Sequence, residues 1–335
     1  MRRVLVVNAG SETLKLSVVA EDDSSEVVDA FVDADAVGHR IVHGGDRFRG
    51  PVVVDDEVVA ALEGLVPLAP LHNRPAVDAL RGARAALPDA PHVAVFDTAF
   101  HATIPDEAAT YALPRAWGIR RFGFHGLSVQ WSAERVPANR LVVCHLGGGS
   151  SVTAVLSGRS IDTTMGFTPL EGVPMTTRSG SVDPGALLYV QRERGLSPDE
   201  LDHALNFESG LAALSGTSGD LREVLDAGEA GRLAFDVFVH RVTAAVAAMA
   251  ASLGGLDALV FTAGIGERSA TTRAAICKRL AFLGVQLDED ANAGATPDAE
   301  LSAPGSRVAV HVIAAREDIV IARGTRRALW TSGSG

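Results

Sequence analysis

The sequence contains one pattern, two apolar runs around a small polar turn, and contains it twice. Residues 4–11 and 14–19 form the first copy, and residues 141–148 and 152–156 form the second copy, 137 positions later. Each copy is typical of a β-hairpin with Gly, Ser or Thr at its tip. Backbone N–H groups at such a tip bind anions such as phosphate. The repeat therefore predicts two related halves that face a shared cleft, and chance similarity of two buried hairpins is the alternative.

Length, charge and cysteine content narrow the class of protein. The chain has 335 residues, and single cores stop growing near about 250–300 residues, so we predict two domains. A net charge of −11 argues against nucleic acid or an anionic membrane as a partner. Two cysteines and the lack of a signal-peptide pattern after Met1 predict a reduced, cytoplasmic location. The apolar stretch 242–253 is too short to span a bilayer and is expected to be a buried helix.

The remaining pattern is that of an α/β protein. Helices are predicted over 55–65, 74–86, 270–282 and 319–330, and strands over 93–96, 256–262 and 308–313. Residues 263–267 are predicted to form a glycine turn between a strand and a helix, which is typical of phosphate sites. Residues 163–184 are rich in Thr, Ser, Gly and Pro and lack a period, which predicts a binding loop.

Short motifs in a fixed order carry a resemblance to a known family. They lie at 6–15, 39–45, 68–73, 96–101, 122–126, 165–180, 218–224 and 264–267. Together they resemble the acetate kinase family, within the group of acetate and sugar kinases, Hsp70 and actin. The resemblance implies an α/β fold of duplicated ribonuclease-H-like (actin-like ATPase) domains around a central cleft. We expect an N-terminal domain over 1–118, joined by the C-terminal helix of about 319–331, and a C-terminal domain over 119–318.

The resemblance also implies an activity. It is reversible, direct in-line transfer of the γ-phosphoryl group of ATP to acetate or propionate, with Mg²⁺ or Mn²⁺, in a homodimer. An acceptor carboxylate is already ionised at neutral pH and needs no base. Catalysis must therefore come from positioning and charge neutralisation, for which arginine is suited.

Site residues follow from the resemblance. It implies that Arg40 and Arg178 clamp the carboxylate and the phosphoryl group, that Asp97 aligns both substrates, and that His125 donates a hydrogen bond to the phosphoryl group. The acyl pocket is expected to comprise Arg40, Val42, Leu71, Phe124 and Pro169. The metal is assigned to Asn8 and Glu317. Nucleotide and phosphate contacts are expected from Asn8, Ser11, Thr13, Lys15, His145, Gly147, Gly148, Gly149, Asp220, Leu221, Arg222, Gly264, Ile265, Gly266 and Arg268. Taken without the resemblance, Asp97 is equally a helix N-cap, the arginines are surface ion pairs and His125 is structural.

Five positions depart from the family pattern. Gly148, Arg268 and Arg316 stand where Asn is expected, Thr176 where Gly is expected, and Val129 where His is expected. Most of these changes fall on the nucleotide side, and two add positive charge. They leave several interpretations open: drift with ATP retained, another donor such as a different nucleotide, pyrophosphate or polyphosphate, a butyrate-type kinase, or a non-catalytic nucleotide sensor.

Overall fold

Two six-stranded sheets organise the chain in the computed structural model, which describes residues 2–10 and 14–330. The strands of the first sheet are β1 (Val4–Ala9), β2 (Leu14–Val19), β3 (Ser25–Val28), β4 (Ala36–Ile41), β5 (Val52–Val53) and β6 (His92–Phe96). Those of the second are β7 (Arg140–Leu146), β8 (Ser150–Leu156), β9 (Arg159–Thr163), β10 (Ala258–Thr262), β11 (Ala299–Glu300) and β12 (Ala309–Val312).

Helices fill most of the connections. They are α1 (Asp56–Gly64), α2 (Pro70–Ala86), α3 (Asp106–Ala109), α4 (Gly126–Arg135), α5 (Pro184–Arg194), α6 (Pro198–Phe207), α7 (Gly210–Ser215), α8 (Leu221–Asp226), α9 (Gly228–Ser252), α10 (Ala263–Arg268), α11 (Ala270–Arg279), α12 (Glu289–Ala293) and α13 (Glu317–Trp330). Short 3₁₀ helices cover Val66–Leu68, Ala99–Thr103, Arg115–Trp117 and Ala281–Leu283. Helix α2 begins four residues before its predicted start, because proline is accepted in a first turn where no N–H partner is needed.

The predicted repeat is confirmed by the topology of the two sheets. The first has the order β3-β2-β1-β4-β6-β5, and the second, read in the matching direction, has the order β9-β8-β7-β10-β12-β11. In both sheets the first two pairings are antiparallel, the next two are parallel and the last is antiparallel. The same strand order with the same directions is the duplicated α/β fold that the sequence predicts.

The hairpin tips of the two copies differ in length. Ala9 pairs with Leu14 at the end of the first hairpin, so four residues separate the strands. Leu146 pairs with Ser150 in the second, which leaves only Gly147, Gly148 and Gly149 between them.

Contacts divide the chain into two compact units. Unit 1 comprises residues 1–103, 122–131 and 316–335, and unit 2 comprises residues 104–121 and 132–315. The domain boundaries expected near residues 118 and 319 stay a prediction, because compactness does not by itself establish a domain. The units are described separately below.

The strands of unit 1 present alternate residues to different helices. In β6, Ala94 and Phe96 belong to the apolar cluster formed with α1 and α2, whereas Val95 faces Gly324 of α13. In β4, Ile41 faces the same cluster, and Gly38 lies so close to Ile321 and Thr325 of α13 that a Cβ would overlap them. Because side chains alternate along a strand, Arg40 shares the α13 face with Gly38.

The core of unit 2 is built around α9. Val239, Val242 and Val246 of this helix pack with Val142, Leu259 and Phe261 of the sheet. The helix expected over the apolar stretch 242–253 is present and longer, because residues 228–241 extend it toward its N-terminus to 25 residues in all. By length and composition alone it is the one described helix that could cross a membrane, and its packing in this cluster accounts for its apolar character.

A second correction concerns residues 263–267, which form helix α10 rather than a turn. Ala263 takes a positive φ of 65°, and its N–H donates to Glu267 Oε1 at 3.0 Å. The same oxygen accepts the N–H of Ala315 at 2.9 Å. The Glu267 carboxylate thus satisfies the first backbone donor of the helix and lets it begin directly after β10.

Candidate functional site

Three adjacent parallel strands of unit 1 end in polar residues on the same face. Asn8 lies on β1 and Arg40 on β4, where Val7 pairs with His39. Asp97 directly follows β6, and its N–H donates to the carbonyl of Ile41 at 3.0 Å. Glu317 begins α13, the helix that covers this face. The register of the sheet therefore brings together four residues that are far apart in sequence, at the carboxyl ends of strands, where α/β proteins bind ligands.

Arg40 is the centre of this cluster. Its Nε and NH2 atoms donate to Asp97 Oδ2 at 3.1 and 2.5 Å, and NH1 donates to Asn8 Oδ1 at 3.2 Å. Asn8 Nδ2 donates to Glu317 Oε2 at 3.0 Å, and Arg40 NH1 lies 3.6 Å from the same oxygen. The Asp97 side chain is 1% exposed and that of Arg40 is 14% exposed. The surface ion-pair interpretation of Arg40 is therefore wrong, because Arg40 and Asp97 form a buried ion pair.

The cluster contains two acidic side chains, Asp97 and Glu317, and one basic side chain, Arg40. Burial raises the pKa of Asp97, and Glu317 raises it further, while Arg40 opposes both. Burial works against the charged form of Arg40, but Asp97 and Glu317 outweigh it and raise the pKa of the guanidinium. We take both groups as ionised at neutral pH, because the two hydrogen bonds between them favour the charged pair. Two carboxylates then share one guanidinium, and the cluster carries one net negative charge.

Of the unit 1 residues expected to line the acyl pocket, Val42 directly follows β4, Leu71 lies in the first turn of α2 and Phe124 lies two residues before α4. Val42 and Phe124 are buried and Leu71 is half-buried. Asn73 Oδ1 accepts the N–H of His43 at 2.9 Å, and Asn73 Nδ2 donates to the His43 carbonyl at 3.0 Å. These bonds fix the first turns of α2 against the chain that follows Val42. Asn73 is the last residue of the 68–73 motif, and the sequence predicts no role for it. A polar residue in an apolar context next to the start of a helix is the signal that would have indicated its structural role.

A buried histidine supports the segment before α4. His101 Nε2 lies 2.9 Å from the carbonyl of Phe124, and burial lowers the pKa of His101 to about 4, so the neutral ring donates this bond. His125 follows with a positive φ of 58°. Gly126 lies so close to the carbonyl of Asp97 that any Cβ would overlap it. Glycine at 126 is thus required for His125 to stand next to the end of β6.

In unit 2, Pro169 and Arg178 lie in a loop of residues 164–183 that has no helix or strand, as predicted. Arg178 NH1 donates to the Pro169 carbonyl at 3.4 Å and lies 3.8 Å from Met175 Sδ. Burial lowers the pKa of the Arg178 guanidinium. The loop therefore holds a half-buried cation beside the residue expected in the acyl pocket.

The segments expected to bind the nucleotide come together at one end of the second sheet. His145 pairs with Thr262, so the 147–149 tip and the start of α10 adjoin. A Cβ on Gly147 would lie 3.5 Å from Ala263 Cβ and 3.8 Å from Gly264 N. Thr176 donates its N–H to the Gly148 carbonyl at 3.3 Å, and its methyl group faces Gly219, which precedes Asp220. Unit 2 thus groups the tip, residues 217–222 and the 264–266 segment.

The arginines of these segments, and Arg316 of unit 1, differ in their partners. Arg222 donates to Asp220 Oδ1 and Oδ2 at 2.9 and 2.7 Å. Arg268 is exposed and approaches Gly264, and its charge contributes to the lowered pKa of Asp220, for which the hydrogen bond from Arg222 is the larger cause. Arg316, which belongs to unit 1, pairs with Asp318 at 3.1 and 3.2 Å.

Four further predicted or departing positions complete the comparison with the sequence. Lys15 is exposed and pairs directly with Asn8 across the first hairpin, so both side chains lie on the same face. Val129 is fully buried in α4, where it serves as a core residue. Ser11 and Thr13 lie outside the described residues.

Known proteins are similar to this chain in sequence and in fold. Residues 26–323 match the model of the acetokinase family. The chain belongs to the acetokinase family. A relative named acetate kinase, from Synechococcus sp. (strain JA-2-3B'a(2-13)), is 51% identical over 308 residues, which cover 88% of this chain and 76% of that protein.

Solved structures of the acetokinase family agree with the fold. A propionate kinase from Francisella tularensis subsp. tularensis SCHU S4 is 33% identical with a TM-score of 0.90, over 98% of this chain and 100% of that one. The acetate kinase of Porphyromonas gingivalis is also 33% identical, with a TM-score of 0.86 and the same coverage. The predicted family and fold class are confirmed.

Proposed function

We propose that this protein transfers the γ-phosphoryl group of ATP reversibly to a short-chain carboxylate, acetate or propionate, to give an acyl phosphate and ADP. The observation that carries the proposal is the buried Arg40–Asp97 pair, with Asn8 and Glu317, at the strand ends of a chain of the acetokinase family. Relatives named acetate kinase and a structural neighbour named propionate kinase support this choice of substrates.

Arg40 is suited to bind an anion without giving up its partners. Three hydrogen bonds engage Nε, NH2 and NH1, and a guanidinium has five N–H donors in all. The remaining donors are proposed to hold the acyl carboxylate and to balance charge as the phosphoryl group moves. The hydrogen bonds to Asp97 fix the orientation of the Arg40 guanidinium, so the cation is in place before the substrate binds. No proton has to be removed from the acceptor.

Residues outside the cluster have proposed roles as well. Val42, Leu71, Phe124 and Pro169 are proposed to contact the acyl chain. Arg178 and His125 are proposed to bind the transferring phosphoryl group. The 147–149 tip, the 220–222 turn and the 264–266 segment of unit 2 are proposed to bind the nucleotide, chiefly through backbone N–H groups.

The unit 1 cluster also fits Mg²⁺. Over residues 2–10 and 14–330 no three His, Cys, Asp or Glu side chains are arranged to hold a metal ion by themselves. Oδ1 of Asp97 is buried and has no hydrogen-bond partner among the described residues, and the cluster carries one net negative charge. Magnesium favours one or two carboxylates completed by phosphate oxygens and water. We propose that Glu317, with Asn8 and Asp97 nearby, holds Mg²⁺, which would neutralise phosphate charge.

A different phosphoryl donor is the second candidate, and Arg268 is the observation that favours it. The side chain is an exposed cation next to Gly264, within the group of segments expected to bind the nucleotide. Arg316 is the weaker candidate because Asp318 already pairs with it.

The finer expectations on assembly and location are also proposals. Helices α5 and α6 have no buried residue, yet Leu188, Tyr189 and Phe207 are 54%, 63% and 44% exposed. Exposed apolar groups of this kind mark protein contacts, and we propose a homodimer through this face of unit 2. Cys144 and Cys277 are both free and buried, which supports a cytoplasmic location.

Acyl-phosphate trapping tests the function. The purified protein is incubated with Mg²⁺ and hydroxylamine, with acetate, propionate or butyrate as acceptor and ATP, GTP or pyrophosphate as donor. Acyl hydroxamate from acetate or propionate with ATP is the expected result. Product with butyrate as the only accepted acid would indicate a butyrate-type kinase. Product with pyrophosphate as the only accepted donor would indicate a pyrophosphate-linked kinase. No product in any combination would refute the kinase assignment and favour a nucleotide sensor.

A further inference from the structure

Three side chains outside the predicted site hold the first half of the 164–183 loop in unit 2. They are Tyr111, Arg121 and Glu171. The NH1 atom of Arg121 lies 3.0 Å from each of three successive carbonyls, those of Thr163, Thr164 and Met165. Since the loop begins directly after β9, Arg121 fixes the point at which the chain leaves the sheet.

Glu171 connects this anchor to the middle of the loop. Arg121 NH2 donates to Glu171 Oε1 at 3.0 Å, and the Tyr111 hydroxyl donates to Glu171 Oε2. The Tyr111 oxygen in turn accepts the N–H of Phe167 at 3.1 Å. Burial and the bond to Glu171 raise the pKa of Tyr111, so the phenol keeps its proton and remains a donor. A single carboxylate thus joins a cation and a phenol that both bind loop backbone.

The packing around this carboxylate leaves no spare room. A Cβ at Gly166 would overlap both Glu171 Oε2 and the Tyr111 oxygen, so glycine at 166 allows the cluster to close. Pro169 lies two residues before Glu171, and its carbonyl accepts the 3.4 Å bond from Arg178 NH1. The chain of contacts runs from Arg121 through Glu171 to the segment that carries both proposed site residues.

We propose that Glu171 is a positioning residue for the acyl site, which holds Pro169 and, through the Pro169 carbonyl, the Arg178 guanidinium in their working places. This inference rests on the proposed carboxylate kinase activity. It adds that discrimination among short acids depends on a residue that touches neither substrate, because a displaced Pro169 changes the size of the acyl pocket.

Kinetics of three variants test the inference. Glu171→Gln keeps the volume and removes the charge, Glu171→Ala removes the link, and Tyr111→Phe removes only the hydroxyl. Misplacement of site groups by about 1 Å costs about 100-fold, so Glu171→Ala should lower kcat/KM for acetate by about 10- to 100-fold. The KM for ATP should rise less than the KM for acetate, because Thr176, the loop residue that contacts the nucleotide segments, lies beyond the half of the loop that Glu171 holds. The preference for acetate over butyrate should shrink, and the other two variants should show smaller changes in the same direction.

A matched ion pair in the same unit provides the control. Arg140 donates to Asp257 Oδ1 from Nε at 3.1 Å and from NH2 at 2.5 Å, at the beginnings of β7 and β10 and so at the opposite end of the sheet from the hairpin tip. Asp257→Asn should lower thermal stability but leave the acetate and ATP constants unchanged. Hydrogen exchange should quicken most over 164–171 in the Glu171 variants and not in the control.

The outcomes separate the inference from the function. Wild-type protein that makes no acyl phosphate refutes the proposed function. The wild-type protein could instead be active while Glu171→Gln and Tyr111→Phe keep its kinetic constants for acetate and its preference among acids. That result refutes only the positioning role. Equal rises in the KM values for acetate and ATP would also overturn it, because they would show a general loss of structure.

Discussion

Replacing Arg40 by an uncharged side chain of similar length, Arg40→Met, should expose the repulsion that the guanidinium now balances. Asp97 is buried and Glu317 contacts the same guanidinium at 3.6 Å, so the variant leaves two carboxylates near one another with no cation between them. Removing one partner of a buried ion pair costs about 3–5 kcal/mol, and we expect a loss in this range at neutral pH. Asp97→Asn should cost less, about 1.5–3 kcal/mol, because Arg40 keeps Glu317 and an amide oxygen as partners.

The sign of the pH dependence follows from the Asp97 carboxyl. Burial, aided by Glu317 and opposed by Arg40, raises its pKa to about 6. Between the unfolded value and this one, the folded protein holds a proton that the unfolded chain has released, so the free energy of unfolding falls as pH rises. Without Arg40 the pKa should rise further and extend that window into the neutral range. The deficit of Arg40→Met relative to wild type should therefore be larger at pH 7.5 than at pH 5.

Urea unfolding at both pH values measures these differences, read from the midpoints at equal slope. The wild-type protein and Asp97→Asn are the references. If Arg40→Met lowers the free energy of unfolding by the same amount at pH 5 and at pH 7.5, the reasoning is refuted. An Asp97→Asn variant less stable than Arg40→Met would refute it as well, since the argument requires unshielded repulsion to exceed a lost hydrogen bond.

Other predictions concern catalysis, donor and assembly. Arg178→Ala should lower kcat by about 100- to 1,000-fold, as a lost charge-stabilising donor does, and an unchanged kcat in the hydroxylamine assay would show that the phosphoryl group is bound elsewhere. Gly148→Asn restores the expected family residue at a position with no neighbour within 4 Å of a Cβ, so thermal stability should be unchanged while the KM for ATP falls. With Arg268→Asn, any activity with pyrophosphate should decrease relative to ATP, and a constant ratio would exclude Arg268 from donor choice. Tyr189→Glu on α5 should convert the proposed dimer to a monomer in light scattering, and a mass that does not change would rule out this face.

The sequence predicted the repeated element because a hairpin is local. Both strands and the tip of each copy lie within about 16 residues, and the apolar pattern alone indicates them. The α13 side of the first sheet could not be predicted in this way. Arg40 and Asp97 are 57 positions apart, and only the register between β4 and β6 brings their atoms within 2.5 Å.

Local rules failed where a distant group overrides them. Residues 263–267 contain two glycines, and composition favours a turn, but the Glu267 carboxylate and the N–H of Ala315 stabilise a helix there. The support of the 164–183 loop was missed for the same reason. Tyr111 and Glu171 are 60 positions apart, and neither residue type marks a site by itself.

The two copies of the fold differ at the strand ends where unit 1 has the Arg40 cluster. The pairing of β1 with β4 places Asn8 next to Arg40, and the pairing of β7 with β10 places His145 opposite Thr262 at the corresponding point. Thr262 is fully buried and uncharged, so the second copy has no cation at the place where the first has Arg40. A site without such a cation is poorly suited to hold a carboxylate against phosphoryl oxygens, whereas a short glycine tip can approach a nucleotide closely with its backbone. The duplicated sheet thus has two unlike ends: in unit 1 a charged cluster, which suits the proposed binding of the acceptor acid, and in unit 2 a short glycine tip, which suits the proposed binding of the donor.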